Sequence, residues 1–158
     1  MARRLLVVHH TPSPSLDSML DAVVTGAADP SIAEQFPGGV EVVVRPALAA
    51  GPADVLEADG YVLGTPANLG YMSGALKHFF DQIYYPCLAA TRGRPYGLYI
   101  HGNNDTDGAA AAVERIVTGL RWRPAAAPVQ VVDTPDRAAL DACWELGATL
   151  AATVAASG

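Results

Sequence analysis

Three short stretches of the chain collect residues suited to a flat polar ligand that carries an anion. His9-His10-Thr11-Pro12-Ser13-Pro14-Ser15 places hydroxyls and backbone amides ahead of a helical pattern. Free amides at a helix N-terminus favour an anion, and hydroxyls beside them suit a phosphate monoester. Thr65-Pro66-Ala67-Asn68-Leu69-Gly70-Tyr71-Met72-Ser73-Gly74 offers small residues that let a flat ligand approach the backbone. Asn68 could hydrogen-bond the edge of a heterocycle and Tyr71 could stack on its face. His101-Gly102-Asn103-Asn104-Asp105 adds a third set of amides. Taken singly, Ser and Thr are ordinary helix caps, and Gly and Pro ordinary punctuation. Neither GxGxxG nor GxxxxGK[ST] occurs.

The elements around these stretches decide whether they meet. Arg4–Val8 is a compact apolar run, as in a strand buried on both faces, and helical spacing follows from Ser15 to Gly26 with Ser15 or Ser13 as cap. Asp29–Gly39 reads as a connector. Strands are expected at Val40–Arg45, Gly60–Gly64, Pro95–Ile100 and Val129–Val132. Helices are expected from Pro52 to before Asp59, over Met72–Tyr85, over Ala109–Leu120, and from Asp136 to about Ala155 after Thr134-Pro135. Strands alternating with helices imply βαβ units, hence an α/β fold with a five-stranded parallel sheet and helices on both faces. The flavodoxin-like order 2-1-3-4-5 fits the count, and residues 1–158 are expected to form a single domain of this three-layer sandwich. Parallel strands point one way, so the loops after strands one, three and four must share one edge.

Composition narrows the function. Hydrophobic residues make up 51% of the 158, charged residues 16%, and no apolar run approaches a membrane span, so a soluble globular protein without membrane insertion is expected. Ten Lys and Arg against sixteen Asp and Glu give a net charge of −6, a poor match to nucleic acid. Cys87, after a helix, and Cys143, inside one, lack CxxC spacing and read as free buried thiols. The first ten residues are too polar for a signal peptide, which points to the cytoplasm. His9 and His10 are adjacent, a spacing that does not aim both rings at one ion, so no metal is expected.

The stretch GTPANLGYMSGALKHFFDQ, Gly64–Gln82, closely resembles the second flavin loop of flavodoxin-like NAD(P)H-dependent FMN reductases and WrbA-like quinone reductases. Their pattern GTP-x-x-x-G-x-M-S-G-x-x-K-x-F-x-D finds Gly64, Thr65, Pro66, Gly70, Met72, Ser73, Gly74, Lys77, Phe79 and Asp81 in register. The resemblance implies FMN as cofactor. It implies a phosphate loop of His10, Thr11, Ser13 and Ser15, a ring-holding loop of Pro66, Ala67, Asn68, Leu69, Gly70, Tyr71 and Met72, and Gly102 and Asn103 from the third loop. The first loop departs from the family's S-x-T-G-N-T: HHTPSPS has two prolines and no Gly-Asn, so fewer amides are free to donate. The insertion that helps the quinone reductases form tetramers is not evident here, and a homodimer and a homotetramer both stay open.

The resemblance further implies that bound FMN takes hydride from NADH or NADPH and passes electrons to a quinone or another small acceptor. The catalytic residues are then unassigned, with Tyr71 and His101 as possible helpers and His78 as another histidine near the ring. Two other readings share the fold: a flavodoxin-type electron carrier, and a cofactor-free binding or regulatory module. A serine hydrolase fits worse, because Gly70-Tyr71-Met72-Ser73-Gly74 misses the G-x-S-x-G elbow by one place.

Overall fold

A computed structural model describes residues 2–157. Its strands are β1 (Arg3–His9), β2 (Val40–Pro46), β3 (Gly60–Asn68), β4 (Tyr71–Met72), β5 (Pro95–Gly102), β6 (Arg123–Pro124) and β7 (Val129–Val132). Its helices are α1 (Pro14–Ala27), α2 (Pro30–Gln35), α3 (Pro52–Glu57), α4 (Gly74–Cys87), α5 (Asp107–Leu120) and α6 (Arg137–Ala156). The sheet runs β2-β1-β3-β5-β6, with β7 also beside β5 and β4 folded onto β3. All its neighbours pair in parallel except β3 with β4. This is the expected order 2-1-3-4-5, with the fifth strand in two pieces. Both β6 and β7 pair with β5, and the segment between them runs from Ala125 to Pro128.

The run Leu5-Leu6-Val7-Val8 explains the three layers. Successive side chains on a strand point to opposite faces. Leu5 and Val7 join Leu16, Met19, Val62, Tyr99 and Leu150 in one core, between the sheet and the pair α1 and α6. Leu6 and Val8 join Leu63, Leu76, Phe79, Ile100 and Val113 in the other, beneath α4 and α5. All four are completely buried, each contributing about 1.5–3 kcal/mol on removal from water.

Capping residues set several helix starts. Ser13 caps α1, its Oγ accepting from the Leu16 amide at 3.2 Å, so the helix begins at Pro14 and not at Ser15. Pro suits that first position because its missing N–H would have no intrahelical partner. Asp136, and not Thr134-Pro135, starts α6, accepting from the Ala139 amide at 2.8 Å. The expected connector at Asp29–Gly39 contains α2, capped by the Asp29 carboxylate on the Ser31 amide at 2.9 Å. Cys87 is the last residue of α4, and both cysteines are buried thiols. Among the described residues no helix is long and apolar enough to cross a membrane.

Candidate functional site

The carboxyl ends of β1, β3 and β5 lie along one edge of the sheet. At β1 the chain is pinned on both sides, by His10 N–H to the Gly64 carbonyl at 3.0 Å and by Ala47 N–H to the His9 carbonyl at 2.7 Å. Past that point Ser13 uses its hydroxyl oxygen and its carbonyl on the first turn of α1, accepting from Leu16 and Asp17 respectively. Its hydroxyl hydrogen is left over. Pro12 and Pro14 have no amide to give, but among the described residues the amides of Thr11, Ser13 and Ser15 have no intramolecular acceptor. Thr11 Oγ1 lies 2.7 Å from His9 Nδ1. Burial, with the charge of His10 adding to it, pushes the His9 pKa below its ordinary value.

The second stretch is not the loop expected from its Gly and Pro content. β3 continues through it to Asn68, pairing with β5 as far as Pro66 opposite His101. The chain then reverses, setting Ala67 opposite Met72 and Asn68 opposite Tyr71. Leu69 and Gly70 make the turn with φ of 53° and 75°, the two left-handed residues that a two-residue hairpin needs. Thr65 locks its base, the buried hydroxyl accepting from the Ser73 amide at 3.0 Å and donating to the Pro66 carbonyl at 2.8 Å. The first turn of α5 braces its tip: a Cβ on Gly108 would stand 2.1 Å from the Gly70 carbonyl oxygen. The helix expected from Met72 accordingly begins at Gly74, capped by Ser73.

The third stretch is tied down in a similar way. A carbonyl only accepts, so His101 Nε2 carries the hydrogen that it shares with the Asp133 carbonyl at 2.7 Å. The Asp133 amide returns a bond to the Gly102 carbonyl at 3.1 Å. This leaves His101 Nδ1 as an acceptor in the neutral ring. Gly102 fits between the second and third stretches, where a Cβ would approach Ala67 Cβ and Thr106 Cγ2 to 3.1 Å.

Between these walls is a cleft of about 190 Å³, lined by Pro12, Ser13 and Leu16, by Pro66, Ala67 and Asn68, and by His101, Gly102 and Asn103. Of the expected residues it brings together Ser13, Pro66, Ala67, Asn68, His101, Gly102 and Asn103. His10, Thr11 and Ser15 flank it, and Leu69, Gly70 and Tyr71 form the hairpin beyond it, with Leu69 and Tyr71 exposed. The Met72 side chain is in the core, so only its backbone faces the hairpin. Pro12 and Leu16 were not expected. Leu16 could have been found from its place in the first turn of a helix whose apolar stripe faces the sheet.

Larger hollows of about 550 to 570 Å³ lie at the split edge strand and at the amino end of the sheet. None gathers several strand-end loops. Ordinary small-molecule pockets span about 300–1,000 Å³, so the 190 Å³ cleft would enclose only part of a ligand and leave the remainder against its outer walls. Among the described residues no group of three His, Cys, Asp or Glu is placed to hold a metal. The donor set fits FMN, with unpaired amides and the unspent Ser13 hydroxyl hydrogen at one end for a phosphate, and small side chains and backbone at the other for a flat ring.

Residues 24–134 match the model of a family described as NADPH-dependent FMN reductase. A flavodoxin of Aquifex aeolicus is 32% identical over 80 residues, which cover 51% of this chain and only 40% of that protein's length. The fold superposes on an archaeal flavodoxin with a TM-score of 0.76 at 18% identity, covering 96% of this chain and 98% of the other. A WrbA-like flavodoxin from Agrobacterium tumefaciens gives the same TM-score of 0.76 at 17% identity over 99% of both chains. With the rubredoxin oxygen:oxidoreductase of Desulfovibrio gigas the TM-score is 0.80 at 13% identity, over 97% of this chain and 36% of that one. The fold is therefore flavodoxin-like, and with most of its length matched by the family model the chain belongs to the NADPH-dependent FMN reductase family.

Proposed function

We propose that this protein is an FMN-dependent oxidoreductase that takes hydride from NADH or NADPH and reduces a quinone or another small acceptor. The observation that carries this reading is the convergence of three strand-end segments on one cleft, with unpaired amides at its α1 side and small residues at the other. Thr11, Ser13 and Ser15 would hold the phosphate, with His10 next to them fixed by its amide on the Gly64 carbonyl. Pro66, Ala67, Asn68, Gly102 and Asn103 would hold the ring, while Leu69, Gly70 and Tyr71 form an outer rim that Met72 anchors in the core. Bound FMN supplies hydride acceptance and electron transfer. The chain's own residues orient it, exclude water on the buried side and, at His101 Nδ1, present an acceptor near the ring.

Titration of the purified protein with FMN, read by quenching of flavin fluorescence, tests the first step. Saturable quenching is expected, and fluorescence that stays unquenched overturns the flavoprotein reading in favour of a cofactor-free module. The stretch 32% identical to a flavodoxin supports a second reading, an electron carrier without its own pyridine-nucleotide activity. Consumption of NADPH by the FMN-loaded protein with a quinone separates the two, and flavin that only a separate reductase can reduce supports the carrier. We further take residues 1–158 as one domain, with a homodimer or a homotetramer to be distinguished by light scattering.

A further inference from the structure

Tyr99 lies in β5, wholly buried, and its hydroxyl has no hydrogen-bond partner among the described residues. Buried polar atoms are nearly always matched, by protein or by an ordered water. The strand register shows what this one faces. His9 pairs with Gly64, and Gly64 pairs with Tyr99, so the three stand in one row across β1, β3 and β5. Alternation along β1 puts His9 on the same face as Leu5 and Val7, the face on which Tyr99 also packs. Gly64 between them has no side chain, and a Cβ built there would lie 2.2 Å from the Tyr99 hydroxyl oxygen. The phenol therefore runs from β5 across β3 toward β1. With strands about 4.8 Å apart, the next side chain in the row is the His9 imidazole.

His9 is engaged on its other side, where Nδ1 meets Thr11 Oγ1 at 2.7 Å. Its pKa is lowered by burial, so near neutral pH the ring is neutral, with one nitrogen donating and the other accepting. The two tautomers have opposite consequences for Thr11. With the hydrogen on Nδ1, the ring donates to Thr11 and the threonine hydrogen is free for an outside acceptor. With the hydrogen on Nε2, Nδ1 must accept, and Thr11 spends its hydrogen on the ring. A phenol is a better donor than acceptor, and an imidazole imine nitrogen is a strong acceptor, so a tyrosine hydroxyl on the Nε2 side selects the first arrangement.

We propose that Tyr99 is a positioning residue for the anion-binding loop: its hydroxyl donates toward His9 Nε2 through one buried water, and so makes the Thr11 hydroxyl a donor to phosphate. This rests on the FMN reading above for the identity of the anion, but not for the His9 arrangement itself.

The tautomer can be read in the ligand-free protein from histidine ring 15N NMR spectra. Wild type is expected to hold its hydrogen on His9 Nδ1, and Tyr99→Phe to shift population to Nε2–H. In parallel titrations, Tyr99→Phe is expected to weaken FMN about fivefold and Thr11→Val about tenfold, with Thr11→Ser restoring affinity and riboflavin, which lacks the phosphate, unaffected throughout. A wild-type Nε2–H tautomer overturns the proposal. So does a Tyr99→Phe protein that keeps both the wild-type tautomer and the wild-type FMN affinity. Should Tyr99→Phe not fold, the wild-type spectrum decides alone. Failure of wild type to bind FMN overturns the function proposed above, whereas the His9 spectrum in ligand-free protein reports on Tyr99 separately.

Discussion

The two ends of the sheet treat their polar groups in opposite ways. At the amino end the donors are used up: Arg3 reaches Asp59 at 3.3 Å, and Arg4 reaches Glu57 at 2.8 Å and Glu41 at 3.2 Å. Arg94 Nη1 there shares its two hydrogens among the carbonyls of Val55, Leu56 and Ala58 and the Tyr61 hydroxyl, at 2.7 to 3.3 Å. Tyr61 in turn donates to the Val55 carbonyl at 2.7 Å and stacks on Trp122 at 4.0 Å, and burial pushes its pKa up to about 12. At the carboxyl end, among the described residues, no cleft-lining side chain joins an ion pair, the amides of Thr11, Ser13 and Ser15 have no acceptor, and the Ser13 hydroxyl hydrogen is unspent. One end closes the fold; the other leaves donors open.

Substitutions at the two ends should therefore separate stability from binding. The largest effect is expected at the amino end, where Arg94→Ala removes a charged donor from the part-buried Ala58 carbonyl and from the Tyr61 hydroxyl, while Tyr61 still serves Val55, and should cost about 2 kcal/mol. A lowered urea midpoint with unchanged FMN affinity is the expected outcome, and a parallel loss of affinity would break the division. At the carboxyl end Ser13→Ala removes the α1 cap, about 1 kcal/mol, and the proposed phosphate donor, so FMN should bind about tenfold more weakly while riboflavin does not. Leu69→Asn should gain about 0.5–1 kcal/mol, because Leu69 has φ of 53° and Asn tolerates the left-handed region better. A thermal melt checks it.

The smallest effect concerns pH. The His9 pKa is lowered in the fold, chiefly by burial. The unfolded chain therefore binds the proton more readily. The stability contributed by neutral His9 is fully present above its ordinary pKa near 6.5 and is lost as pH falls through the folded value. His9→Gln should flatten the fall in urea midpoint between pH 7.5 and 5.5, and an unchanged slope would show that His9 is not the group concerned.

The sheet was legible in the sequence wherever burial left a short, β-branched apolar run, as at Leu5–Val8, because a strand covered on both faces is apolar at every position. The extension of β3 beyond Gly64 was not. It depends on a hairpin turn whose first residue is Leu69, a poor left-handed residue that gives no local signal. The α1 start was legible only as a choice between Ser13 and Ser15, which Pro14 at the first helical position resolves. At the candidate site, residue types singled out three segments that the fold brings to one edge of the sheet. Which of their side chains meet was a matter of register: the row from His9 through Gly64 to Tyr99 joins residues 90 positions apart and cannot be read along the chain.

The break in the outer strand has a consequence for life in a crowded solution. An exposed edge that is long, flat and apolar invites a second chain to add itself. Here two paired residues, a four-residue excursion ending in Pro128, and four more paired residues replace one continuous ladder. Proline offers no amide to an incoming strand, and the excursion interrupts any template. The same irregularity that leaves the two-residue β6 without a signal in the sequence should help the folded protein resist strand-to-strand aggregation.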